Sequence, residues 1–254
     1  MAGDQLVTAV RRQLGLGRLL PLGGPADGAW IAERAAAGVL REAGDALPGL
    51  RVGTLRLSLA DTVAAPDPAV PAPPSALPPG PLLIEADFAA TAGRPVPASA
   101  GLLREALLTC AAERLGLEVS AVDLRATELL DERDLDAGEA EEDGGGGRDA
   151  FPDVPGAEGA EGATADDAGP LETAVLRVPG VVRLVPALGA LSRPVREEDG
   201  HVLVQLAAAP DRRTLDVARA VRAAAEEAAG GQAANGERPT VAVLVAALEP
   251  AAAS

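Results

Sequence analysis

Residues 131–168 read DERDLDAGEAEEDGGGGRDAFPDVPGAEGAEGATADDA, in which 14 acidic side chains face 2 arginines and four glycines stand in a row. Such a stretch cannot bury enough apolar surface to offset the entropy of ordering it, so it predicts a disordered, solvated, Gly-rich acidic linker. On either side of it the chain repeats one order of elements: helix, strand, strand, helix, strand. The expected fold is therefore α+β, two small repeated units joined by a disordered acidic linker. This reading divides the chain into residues 1–28, an N-terminal amphipathic helix and apolar docking segment; 29–130, a first unit with a proline-rich insert at 61–81; 131–168, the linker; 169–249, a second unit; and 250–254, a tail.

Upstream of the linker, Asp4 is placed to cap a short helix with Leu6, Val7, Val10 and Leu14 on one side, ending near Gly15 or Gly17. The following LGRLLPLGGPADG is apolar but broken by Gly and Pro, and is expected to lie irregularly against a folded surface. A helix is predicted over 29–43, with Trp30, Ile31, Ala35, Val39 and Leu40 as its apolar stripe. Pro48-Gly49 then turns the chain into a strand in which Leu55, Leu57 and Leu59 alternate with Thr54, Arg56 and Ser58. The run PDPAVPAPPSALPPGP reads as an extended polyproline segment, either a long loop of the first unit or a docking site for a proline-binding module. A strand carrying Leu82, Ile84, Ala86 and Phe88 follows. A helix over 97–115 puts Cys110 on its buried stripe with Leu103 and Leu107, and a last strand alternates Val122, Leu124 and Ala126 with Asp123, Arg125 and Thr127.

Downstream, the same order recurs in shorter form. A helix of about two turns from Pro170 leads to VPGVVRLVP, which sets Pro179-Gly180-Val181 against Pro48-Gly49-Leu50. In HVLVQL, residues Val202, Val204 and Leu206 match Leu82, Ile84 and Ala86. Asp211 is expected to cap a helix over 211–229 with Leu215, Ala218, Val221 and Ala225 inward and Arg212, Arg219 and Arg222 outward. The closing strand puts Val241, Val243 and Val245 where Val122, Leu124 and Ala126 stood.

Composition limits what such units do. The linker carries −12 of the net −16, so the remainder of the chain is nearly neutral. All 22 basic residues are arginines, with neither lysine nor tyrosine, a bias typical of a GC-rich, actinobacterial genome. The arginines are dispersed, so no basic face for nucleic acid is expected. A single cysteine excludes an internal disulfide framework and cannot by itself build a metal site. The start, MAGDQLVTAVRRQLGLG, lacks a continuous apolar core, and no run of about 18 apolar residues crosses a bilayer, which points to a cytoplasmic location. His201, the lone histidine, reads as a solvated strand-end residue in preference to a general base. No Ser-His-Asp set, paired metal ligands or phosphate loop is present, so no catalytic, cofactor-binding or metal residue is assigned and no cofactor is expected.

The segments VPGVVRL and HVLVQL, the arginine-bearing helix and TVAVLV together resemble the alkaline shock protein, or envelope stress response, family. LPGLRV, LLIEADF, GRPVPASAGLLREAL and LEVSAVDL look like a more divergent copy. The resemblance spans 29–130, apart from the proline insert, and 170–248. Some actinobacterial relatives with a GLGRLLPLGG-like segment carry the label nucleopolyhedrovirus p-ten family protein, although nothing in these residues supports a viral fibre. The resemblance implies a non-enzymatic adaptor or scaffold that associates with homologous alkaline-shock-type proteins and, through them, with a membrane anchor protein, without inserting into the membrane itself. Two alternatives stay open: a small-ligand-binding or enzymatic domain whose site carries no recognised motif, and a structural protein with another partner. Contact is expected through sheet edges at 119–127 and 240–248 or, where the N-terminal segment covers such an edge, through Arg212, Arg219 and Arg222.

Overall fold

The structure, a computed structural model, describes residues 17–61, 65–130, 169–188, 193–230 and 239–250. The acidic stretch 131–168 and the expected Asp4-capped helix lie outside the described residues. Helices and sheets are both present, so the α+β class holds.

In chain order the elements are β1 (Leu19–Pro21), β2 (Ala29–Ala32), α1 (Glu33–Asp45), β3 (Leu50–Leu59), β4 (Leu82–Thr91), α2 (Val96–Cys110) running into a π-type turn (Ala111–Leu115), β5 (Val119–Leu130), α3 (Pro170–Leu176), β6 (Val181–Leu184), β7 (Val195–Glu198), β8 (His201–Ala208), α4 (Thr214–Gly230) and β9 (Thr240–Leu248). They build two sheets. The smaller is ordered β3-β4-β5; the larger runs β1-β2-β9-β8-β6, with β7 also on β8. In the smaller sheet β3 pairs antiparallel with β4, and α2 crosses over to a parallel β5. In the larger, β6 pairs antiparallel with β8, and α4 crosses over to a parallel β9.

The turns that open these two strand sets are alike in detail. Leu50 N–H bonds the Leu47 carbonyl at 3.2 Å, and Val181 N–H bonds the Val178 carbonyl at 3.1 Å. Both enclose a Pro-Gly pair whose glycine has positive φ, +77° at Gly49 and +99° at Gly180. A type II turn needs glycine at that position and favours proline before it. The glycine carbonyls then accept from the far strands, Gly49 from Thr91 at 2.9 Å and Gly180 from Ala209 at 2.8 Å.

The expected helix over 29–43 is corrected at its start, because Ala29–Ala32 is a strand and the helix begins at Glu33. In the strand, Trp30 and Ile31 point to opposite faces of the larger sheet and are 1% and 0% exposed. Burying each stabilises by about 1.5–3 kcal/mol, whereas the helix propensity given up is a few tenths per residue. Packing decides. The segment expected to be irregular also contributes β1, which pairs with β2 at Leu20↔Ile31.

β2 lies parallel to β9, at Trp30↔Leu244 and Ile31↔Val245, so the N-terminal segment completes the sheet of the C-terminal half. One continuous core holds residues of both halves, among them Ile31, Leu40, Leu57, Phe88, Leu103 and Leu115 with Val204, Leu215, Val221 and Val245. A boundary between residues 28 and 29 therefore does not divide the packing. The proline-rich insert is likewise no free spacer. Val70 is 3% exposed in a second cluster with Trp30, Leu203 and Leu244 on the other face of the larger sheet. The insert is tied there by Leu77 N–H to the Leu19 carbonyl at 2.9 Å and Ala69 N–H to the Pro25 carbonyl at 3.0 Å.

Candidate functional site: a contact surface

The outward arginines of α4 follow from its pattern, with Leu215, Ala218, Val221 and Ala225 buried beneath them. The expected cap at Asp211 is corrected: the helix begins at Thr214, so Asp211 and Arg212 precede it. Arg219 donates from Nε and Nη2 to the two carboxylate oxygens of Asp27, at 2.7 and 3.1 Å. Arg222 donates to the Ala26 carbonyl and, at 2.8 Å, to Glu226. Two of the three expected contact arginines thus hold the turn between β1 and β2 onto α4. Arg212 is exposed and lies against Gly180 of the Pro-Gly turn.

Asp27 is bound by Arg219 and by the Gly24 N–H. Burial alone would raise its pKa, but the Arg219 hydrogen bonds, the Gly24 N–H at 2.8 Å and the charges of Arg219 and Arg222 outweigh that and hold it below the usual carboxylate value. Arg213, which the periodicity does not single out, donates to the Ala112 carbonyl at 3.0 Å and so joins α4 to the π-type turn. Gln205 was also missed. Fully buried, it accepts from Ala187 and Leu188 N–H at 3.1 and 2.9 Å and donates to the Arg193 carbonyl at 3.1 Å, organising the connection from β6 to β7. Its only signal is a polar residue among HVLVQL, on the face opposite Val202, Val204 and Leu206.

The two expected sheet edges differ. β9 has β2 on one side and β8 on the other, so it is not an edge. Among the described residues β5 pairs with β4 alone. One face of its sheet, with Leu57, Ile84, Ala86, Phe88 and Val122, belongs to the core. The other displays Arg51, Arg56, Glu85, Asp123 and Arg125 to solvent.

Reactive groups are not assembled in comparable fashion. Cys110 is 5% exposed, its Sγ 3.7 Å from the Val39 carbonyl; burial raises its thiol pKa, offset in part by Arg114. His201 contacts Thr240 Oγ1 through Nδ1 at 2.7 Å, and burial lowers its pKa against hydrogen bonds that the ring donates to the backbone at Pro71 and Thr240. It borders a hollow of about 190 Å³ beside Pro71–Pro74, Arg196 and Glu198. A wider groove of about 500 Å³ runs between Arg34, Gly38 and Glu42 of α1 and Leu248-Glu249 at the end of β9. Neither brings a nucleophile to a base. Among the described residues no group of three or more His, Cys, Asp or Glu side chains is placed to hold a metal ion, and no helix is long and apolar enough to cross a membrane. Comparison of the chain with protein-family models, curated proteins and solved structures finds no match in any of the three.

Proposed function

We propose that the chain is a non-enzymatic adaptor or scaffold of the envelope (alkaline) stress response that works by associating with homologous alkaline-shock-type proteins. Its two halves are read as divergent copies of one helix-strand-strand-helix-strand unit joined by the acidic linker. The matched Pro-Gly turns, the shared strand order and the crossover helices support that duplication. In this reading Arg219 and Arg222 bind the two halves to each other, and contact with other proteins falls to Arg212 and the β5 edge. The membrane is reached only through a partner, and the protein itself is cytoplasmic.

The observation that carries the reading is the contrast between β5 and β9. The outer edge of β9 is filled by β2, whereas among the described residues no strand lies on the corresponding edge of β5. An unfilled edge presents a row of main-chain donors and acceptors that a further strand satisfies. Capture of the full-length chain from native lysate tests the proposal. Recovery of other proteins with the same element order is expected, and their retention at the membrane should disappear when the anchor protein is deleted. A small metabolite copurifying in stoichiometric amount, with no such protein recovered, would refute the adaptor and favour the ligand-binding alternative.

A further inference from the structure

We infer that the chain pairs with a second copy of itself through β5, antiparallel and centred on Leu124, to make one continuous sheet of six strands from the two smaller sheets. This rests on the contact role proposed above and names its first partner. β5 is 12 residues long and, among the described residues, has β4 as its only strand neighbour, an edge that natural sheets seldom leave uncovered.

The side chains select the register. In an antiparallel pair, directly opposed residues point to the same face, so the centre must fall on a residue for apolar and polar faces to match. A centre at Leu124 sets each Asp123 opposite Arg125 of the other copy, twice by symmetry. A centre at Asp123 opposes two carboxylates, and one at Arg125 opposes two guanidinium groups. Within one copy the ladder sets Glu85 beside Asp123 and Asp87 beside Arg125. Asp123 thus has a like charge on its inner side, a destabilising arrangement, and the second copy brings a cation to its outer side.

The distribution of exposed apolar groups agrees. Among the described residues three large apolar side chains are exposed, Leu102, Leu108 and Leu129, and all belong to α2 or β5. Joining two smaller sheets at β5 brings both α2 helices to the junction. Arg104 of α2 donates to the Val122 carbonyl at 3.3 Å, a long bond for N–H to O that a strand N–H can replace. β2 on β9 shows that the corresponding edge of the larger sheet accepts a further strand.

Sedimentation equilibrium of the full chain at about 0.15 M salt, where the Debye length of about 8 Å screens the acidic linker, reads the association directly. A reversible dimer is expected. D123R opposes two arginines and R125D opposes two aspartates, so each should weaken the dimer by about tenfold or more. The double variant D123R/R125D restores opposite charges and should restore the dimer. A monomer at every concentration, or a dimer indifferent to both single reversals, or one not recovered in the double variant, overturns the inference. Capture of homologous proteins by a chain that stays monomeric would overturn self-pairing and leave the adaptor role standing. A dimer with this charge dependence that captures none of them would do the reverse.

Discussion

Arg219 and Asp27, separated by 192 positions in the chain, meet through two hydrogen bonds of 2.7 and 3.1 Å that fasten the turn between β1 and β2 to the last helix. Asp27 also closes its own turn by accepting from Gly24 N–H. Asp27→Asn keeps the shape and removes the charge. Because Arg219 is half exposed, the expected loss of stability at pH 7 is about 1–2 kcal/mol. The pH dependence has a definite sign. The folded-state pKa lies below the ordinary value of about 3.9, so the contribution is complete above that value and is lost as pH falls through the folded-state pKa. Urea midpoints of wild type and D27N should differ at pH 7 and converge in acid; a constant gap would show that the charge is not what holds the turn.

Cleavage within residues 131–168 is expected to leave the two halves together. Gly116, at φ +85°, packs so closely under Leu215 that a Cβ there would lie 2.4 Å from the Leu215 Cβ, and β2 is hydrogen-bonded to β9 across the same divide. Nicked protein should coelute as one particle in gel filtration and separate only in denaturant. Gly116→Ala, which adds left-handed strain to overpacking, should cost about 2–4 kcal/mol and lower a single unfolding transition. Two separate transitions, or free fragments under native conditions, would mean that each half closes its own core.

The single thiol should be inert. Cys110 lies beneath α1 with its pKa raised by burial, and only the thiolate reacts. Its modification by a disulfide reagent is expected to be slow in native protein and rapid in urea. Similar rates in both would contradict its burial.

Local pattern made much of this fold legible. Leu55, Leu57 and Leu59 announce a strand with one buried face, and Pro48-Gly49 and Pro179-Gly180 announce its turn. Val241, Val243 and Val245 mark one face of a strand and are buried, but Ala242, Leu244 and Ala246 between them are apolar as well. A strand apolar at both alternations is covered on both faces, and that signal argued against an exposed setting for β9. The β5 sequence VDLRAT, with Asp123 and Arg125 at alternate positions, carries no such continuity. What local pattern could not supply is the partnership of Trp30 and Ile31 with Leu244 and Val245, since these strands come from opposite ends of the chain and their pairing is decided by packing. The arginines of α4 were legible as an outward face. Their attachment to Ala26 and Asp27 was not, because it depends on where that partnership puts the turn before β2.

The proline-rich insert should prove to be a structural cover, and the sole tryptophan reports on it. Trp30 is 1% exposed and donates through Nε1 to the Leu77 carbonyl at 3.1 Å, while Leu77 N–H bonds Leu19 in β1. The insert therefore closes the face of the larger sheet that carries Leu203 and Leu244. Native emission should be blue-shifted and poorly quenched by acrylamide. Leu77→Pro removes the N–H that anchors the insert to Leu19, at an expected cost of about 1–3 kcal/mol, and should shift the emission to the red and raise quenching. Val70→Ala, which opens a cavity beside Trp30 without touching the backbone, should lower stability by a similar amount and raise quenching less. If both variants leave emission and quenching unchanged, the insert is a tether and the face above Trp30 is closed by something else.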